Sequence, residues 1–265
     1  MTIWLAAALT IVLLISISIY MQWHLRRCKA QAAQLCIRSL ERVFTLLQLL
    51  QKHRGLGAQQ GGQTVLQREQ IAYELDRQWA NWAQQFPDMK NLQTAWTDLK
   101  ASPSDFTGHC QLIDQLLGII AVLERRIAIL QQQRAGAVAE RCRGLEDLAR
   151  LRGLASRAAN ESRCPIELEV PLRYLCRRLS QTDFNRSDAA VKSAIGEIRQ
   201  RLLDAQYVSI TAARCFEMLT PIIDAALNDV RSTVQQWRTA PEVNATKTSE
   251  SFNRIAAVAV PNTSM

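Results

Sequence analysis

Helix breakers are scarce in this chain: 10 glycines and 7 prolines are spread over 265 positions. No stretch sustains an apolar–polar alternation, so no sheet is expected, and the dominance of Leu, Ala, Gln, Glu and Arg favours helix. Histidine is scarcer still, with three, His24, His53 and His109. None forms H-x-x-x-H or sits with a cysteine pair at metal-ligand spacing, so no metal or other cofactor is expected. His109 has no base or nucleophile near it in sequence and reads as a surface or capping residue. Phosphate loop, G-x-S-x-G and dinucleotide fingerprint are all missing. Together these absences argue against an enzyme. The formal charge of +8 is spread along helices, with no dense Lys/Arg run beside aromatics, so nucleic acid is not an expected partner. The seven cysteines are odd in number and contain no C-x-x-C pair, which fits free thiols, mostly small core residues, in a reducing compartment.

What the chain does have begins at once. Ile3 to Tyr20 is an uncharged apolar run, and with Met21 to Trp23 it reaches the ~20 residues that cross a bilayer. Trp4 at one end, and Tyr20 and Trp23 at the other, stand where interfacial aromatics belong. A cleaved signal peptide ordinarily opens with Lys or Arg; nothing before Trp4 is charged, so an uncleaved anchor is expected. His24, Arg26, Arg27 and Lys29 follow the run. Basic flanks stay on the cytoplasmic side, which places the body in the cytoplasm, tethered to a membrane by one pass through residues 3–23.

The body reads as helix after helix. The first continues from the anchor through Cys28 to about Ala58. Others are expected at about 64–86, carrying Trp79 and Trp82 as core residues, at about 88–100, and from about 105, the last continuing toward Asn160. A shorter helix spans about 166–180. A long one starts at Asn185-Arg-Ser-Asp188 and runs through Val191, Ile195, Leu202, Ala205, Ser209 and Phe216, with a kink or restart at Pro221. The expected fold is all-α: a transmembrane helix followed by an antiparallel bundle of two stacked four-helix-bundle-like halves. Residues 1–27 form the anchor and basic flank, 28–239 the helical domain and 240–265 a disordered tail, whose apolar Ile255–Val260 patch has no assigned role.

Two arginines break apolar seams. Leu40, Val43, Leu47 and Leu50 step by three and four, and the next seat is Arg54, followed by Gly55. Leu145 and Leu148 lead to Arg152, followed by Gly153, then Ala155 and Ala159. A buried guanidinium keeps its proton and needs a counter-charge. That charge is either a carboxylate on a neighbouring helix, with Glu69, Glu74, Asp114 and Glu124 available, or a small planar anion held by paired N–H donors. Lys52, His53, Arg150 and Arg157 add positive field or point to water. The glycines permit close approach of a neighbour.

Leu49-Leu-Gln-Lys-His-Arg-Gly-Leu-Gly-Ala58 resembles the signature of the bacterial nitrate- and nitrite-sensing (NIT) domains, and Leu148-Ala-Arg-Leu-Arg-Gly-Leu-Ala155 resembles their second arginine motif. Trp96–Leu99, Phe106 and the Leu112–Ile120 run are similar to the family's middle region, so the resemblance covers about residues 34–238. It implies an all-helical sensor that holds nitrate or nitrite between Arg54 and Arg152, with Gly55, Gly153, His53 and Arg150 around them. Where the family commonly has an acidic residue before Arg-Gly, this chain has His53 and Leu151. No output module is found, so signalling is expected through a separate protein or through oligomerisation, a homodimer being left open. The alternative is a membrane-anchored helical scaffold that binds a protein partner, its arginines structural.

Overall fold

The computed structural model describes residues 2–57, 62–83, 90–131, 137–181 and 189–239, and among them every regular element is helical. Helix α1 runs Thr2–Leu56, α2 Gly62–Ala83, α3 Lys90–Ala101, α4 Phe106–Gln131, α5 Val138–Ala158, α6 Ile166–Gln181 and α7 Ala189–Ile198; a π-helical turn, Arg199–Leu203, precedes α8, Ala212–Thr239. The tail at 240–265 and the start signal at 185–188 lie outside the described residues.

Helix α1 is one unbroken rod of 55 residues, about 80 Å at 1.5 Å per residue. Its first part is the one described stretch long and apolar enough to cross a membrane. Leu9 to Leu25 bare their apolar side chains, and Tyr20 and Trp23 stand exposed at the end of the run, with the Arg27 guanidinium 5.4 Å from the Trp23 ring. Burial begins at Ala33 and follows the expected seam through Ile37, Leu40, Val43, Leu47 and Leu50.

The core falls into two apolar clusters. One joins α1 to α2, α3 and α4, the start of α5 and the end of α8 (Val230, Val234); Trp79, Trp82 and Trp96 are buried in it. The other joins α5 from Leu145 onward to α6, α7, the π turn and the first half of α8. Helices α1 and α8 run antiparallel, since Gln34 meets Arg238 while Gln48, further up α1, meets Arg231. Helix α5 passes from one cluster into the other, so its middle turns mark their junction.

Two helix breaks differ from the expected pattern. The fourth helix does not continue to Asn160. In one straight helix Glu124 and Val138 would stand about 21 Å apart; instead the buried Glu124 carboxylate accepts the Val138 and Ala139 backbone N–H groups at 3.2 and 2.9 Å. It satisfies orphan donors at the start of α5 and its charge suits a helix N-terminus. The long helix through Ala205 and Ser209 is likewise interrupted, at 204–211. No glycine or proline marks that break. Long-range bonds hold it: Val208 N–H donates to the Ser162 carbonyl at 3.0 Å and Ser209 N–H to the Arg201 carbonyl at 2.9 Å. Thr211 then caps α8, its Oγ1 accepting from Arg214 N–H at 3.1 Å. Pro221 lies inside α8.

Of the glycines beside Arg54, the close contact belongs to Gly57, not Gly55. A Cβ at Gly57 would run into the Pro103 carbonyl oxygen in the α3–α4 turn, whereas one at Gly55 would meet nothing within 4 Å. Gly57→Ala is therefore expected to lower the melting temperature, and Gly55→Ala to raise stability by about 0.5–1 kcal/mol through helix propensity alone. Thermal unfolding of the two variants checks the pair; equal effects would contradict the packing described.

Candidate functional site

Arg54 sits on the last full turn of α1, where the seam reaches the junction of the clusters. It is buried, 4 % exposed, and its counter-charge is Glu146, 2 % exposed, on the seam of α5. The contact is two-pronged: Nη1 donates to Oε1 at 2.5 Å and Nη2 to Oε2 at 3.1 Å. Gln51, three residues earlier on the same face of α1, donates to Oε2 at 2.8 Å, and Arg150, four residues later on α5, donates from Nε to Oε1 at 2.7 Å. Glu146 thus accepts four N–H bonds, the condition under which a buried carboxylate is tolerated. Burial works against the Arg54 cation, but Glu146 outweighs it and holds the pKa above the usual guanidinium value.

The open counter-charge expected at Arg54 is therefore not there. Nor is its partner one of the four carboxylates singled out from the sequence. Asp114 pairs with Arg150 at 2.7 Å, Glu74 with Arg77, and Glu124 caps α5. Arg150 is spent as well, on Glu146, Asp114 and the Cys110 carbonyl.

Arg152 and Arg157 differ. Arg152 donates to Thr220 Oγ1 of α8 at 3.0 Å and lies 5.1 Å from the Phe216 ring; Arg157 lies 4.7 Å from the Phe106 ring, which Arg54 also approaches, at 5.0 Å. Neither has a carboxylate within ion-pair distance among the described residues. Burial first, and then the charge of Arg54, hold both below the ordinary guanidinium value; Asp224 offsets this in part at Arg152. Gly153 leaves room for Phe106, whose Cε2 would stand 3.3 Å from a Cβ there. The expected pair, Arg54 and Arg152, is thus brought into electrostatic reach, but with unequal roles. Arg54 is clasped, whereas Arg152, against Thr220 and Phe216, and Arg157, against Phe106, share with it only the repulsion of its charge.

His109 is buried and not the surface residue that the sequence suggested, and His53, expected beside the anion or turned to water, is buried as well. His53 Nδ1 and His109 Nε2 are 2.9 Å apart, and His109 Nδ1 is 2.5 Å from the Asp105 carbonyl. A carbonyl only accepts, so His109 carries its proton on Nδ1, and His53 Nδ1–H donates to His109 Nε2. The edge of Trp96 closes over His53 at 4.9 Å. Lys52 is exposed. Seven free cysteines are present, with Cys142, Cys176 and Cys215 buried.

No family model, curated protein or solved structure matches this chain.

Two outcomes follow from the buried charges. Glu146→Gln leaves Arg54 buried without a counter-ion and is expected to cost about 3–5 kcal/mol. Replacing Arg54 and Glu146 together by methionine should cost much less than the sum of the single changes, and denaturant unfolding of the cycle measures the coupling. Additive costs would contradict the clasp.

The histidine pair governs pH dependence. Burial, with His109 and Arg68 beside it, lowers His53 from 6.5 to about 4. Between those values the unfolded chain takes up a proton that the folded chain refuses, so stability falls as the pH falls. From pH 7.5 to pH 5 the loss from His53 amounts to about 2 kcal/mol. Asp147, raised by burial to about 6, acts in the opposite sense over part of the window. The diagnostic is thus the comparison with His53→Gln, whose melting temperature should drop less between these pH values than that of the wild type.

Proposed function

We propose that this chain is a membrane-anchored sensor module that binds a small planar oxyanion, nitrate or nitrite, at the junction of its two apolar clusters and signals through a separate protein. The observation that carries the reading is the charge imbalance at that junction. Four guanidinium groups, Arg54, Arg150, Arg152 and Arg157, gather there, and the carboxylates in contact with them are Glu146 and Asp114. The surplus falls on Arg152 and Arg157, which burial and Arg54 disfavour as cations. A monovalent anion relieves that cost, and guanidinium donors match two oxygens of a planar guest. Arg54 then supplies field rather than a direct ligand, its Nη1 and Nη2 being engaged by Glu146 and Nη1 also by Cys110 Sγ. The resemblance of residues 49–58 and 148–155 to the NIT domains supports the choice of anion.

On this reading the two clusters are two stacked bundle-like halves, and α1 ties the anion junction to the bilayer. The basic flank at His24–Lys29 favours a cytoplasmic body at a bacterial inner membrane. The second reading, a helical scaffold with structural arginines, is favoured by one observation, the four donors that satisfy Glu146.

Calorimetric titration of the full chain in nanodiscs with nitrate, nitrite, chloride and sulfate separates the two. The sensor reading expects saturable heat with nitrate or nitrite, lost in Arg152→Ala and weakened in Arg157→Ala. No heat at millimolar anion, or equal heat from the wild type and Arg152→Ala, would leave the scaffold.

A further inference from the structure

A second polar site adjoins the end of α1 at His53, and its argument is independent of the anion reading. The end of α1, helix α2, the end of α3 and Pro103 border a half-open cleft of about 400 Å³, within the range of small-molecule pockets. His53, Arg68, Glu69, Asp76 and Lys100 are among the residues lining it.

The His53 ring is the informative wall. It is 1 % exposed, its Nδ1–H is given to His109, and its other nitrogen, Nε2, has no hydrogen-bond partner among the described residues. The direction of the chain from His53 to His109 to the Asp105 carbonyl makes Nε2 the bare acceptor of a neutral ring. At neutral pH the ring stays neutral, because burial holds both histidines below the usual imidazole value. On a ring that lines the cleft, an acceptor of this kind is answered by an N–H or O–H donor entering it.

The charges around the cleft divide into spent and unspent. Asp76 is taken by Lys100 Nζ at 2.6 Å and by the Trp96 indole N–H at 2.8 Å. Arg68 and Glu69 have no ion pair or hydrogen bond among the described residues. The unspent groups among the described residues are therefore one cation, one anion, one neutral acceptor and the exposed Tyr73 hydroxyl at the rim. A bare anion such as nitrate would leave the acceptor unanswered and would face Glu69; a simple cation would face Arg68.

We propose that the cleft is a binding site for a small zwitterion carrying both a carboxylate and an ammonium group, an α-amino acid being the simplest. Its carboxylate is taken by the Arg68 guanidinium, and its ammonium group donates to His53 Nε2 and faces Glu69.

The test is calorimetric titration of the full chain in nanodiscs with each standard amino acid, and with acetate and methylammonium as the two halves of the ligand. At least one amino acid should bind saturably at up to millimolar concentration, while acetate and methylammonium do not. Arg68→Ala and Glu69→Gln, both away from the core, should each weaken that binding about tenfold or more. Their melting temperatures without ligand should match that of the wild type. With ¹⁵N-labelled histidine, the bound amino acid should shift the His53 Nε2 resonance away from that of a bare acceptor. Absence of binding across the panel would overturn the proposal. So would binding unchanged in Arg68→Ala, or acetate binding as well as the amino acid.

Discussion

The structure turns on one buried ion pair. Arg54 at the top of α1 and Glu146 in the middle of α5 meet where one apolar cluster gives way to the other. Breaking either side would leave a charge in a dry interior, so the pair fixes the height at which α5 crosses α1. Gln51 and Arg150 complete the carboxylate from the same two helices, and each is placed by helical spacing, three or four residues from its neighbour. With Arg54 neutralised, the remaining positive charge is displaced along α5 to Arg152 and Arg157, about half a turn and nearly two turns beyond Arg150. The clasp therefore decides which arginines are free to act on a ligand.

Much of this was legible in the residues. The three-and-four spacing from Leu40 to Leu50 put Arg54 on the buried face, and the same spacing from Leu145 put Arg152 on its helix. The apolar run before Trp23 marked the exposed part of α1. The counter-ion was not legible, because Glu146 lies beside Leu145 and Asp147 on α5 and carries no local sign that it faces another helix. Its role depends on where α5 crosses α1, a tertiary fact. The same holds for the buried histidines: neighbours in sequence could not show that His53 and His109, 56 residues apart, would bond. The missed breaks have one cause. Both the start of α5 and the segment 204–211 are held by contacts from distant residues, Glu124 and Ser162; the sequence offers a lone glycine, Gly136, before α5 and no glycine or proline at 204–211.

Continuity of α1 gives the proposed function a physical route. One helix carries the apolar run long enough to cross a membrane, the seam of the first cluster, the clasp and His53, so on the proposed reading a change at the junction acts on a rod that begins in the bilayer. The proposed amino-acid cleft and the proposed anion junction adjoin the same turn of α1, His53 lining one and Arg54 lying at the other. Neighbouring residues that report to different chemistries make that turn the natural place for two inputs to meet.

The most direct test of the central claim is ¹⁵N NMR of the arginine guanidinium groups in the full chain during titration with nitrate. If the clasp holds Arg54 and leaves the surplus charge on α5, the Arg152 and Arg157 resonances shift on binding while those of Arg54 and Arg150 stay with Glu146. A shift led by Arg54, with loss of its coupling to Glu146, or no shift at any of the four, would contradict the account.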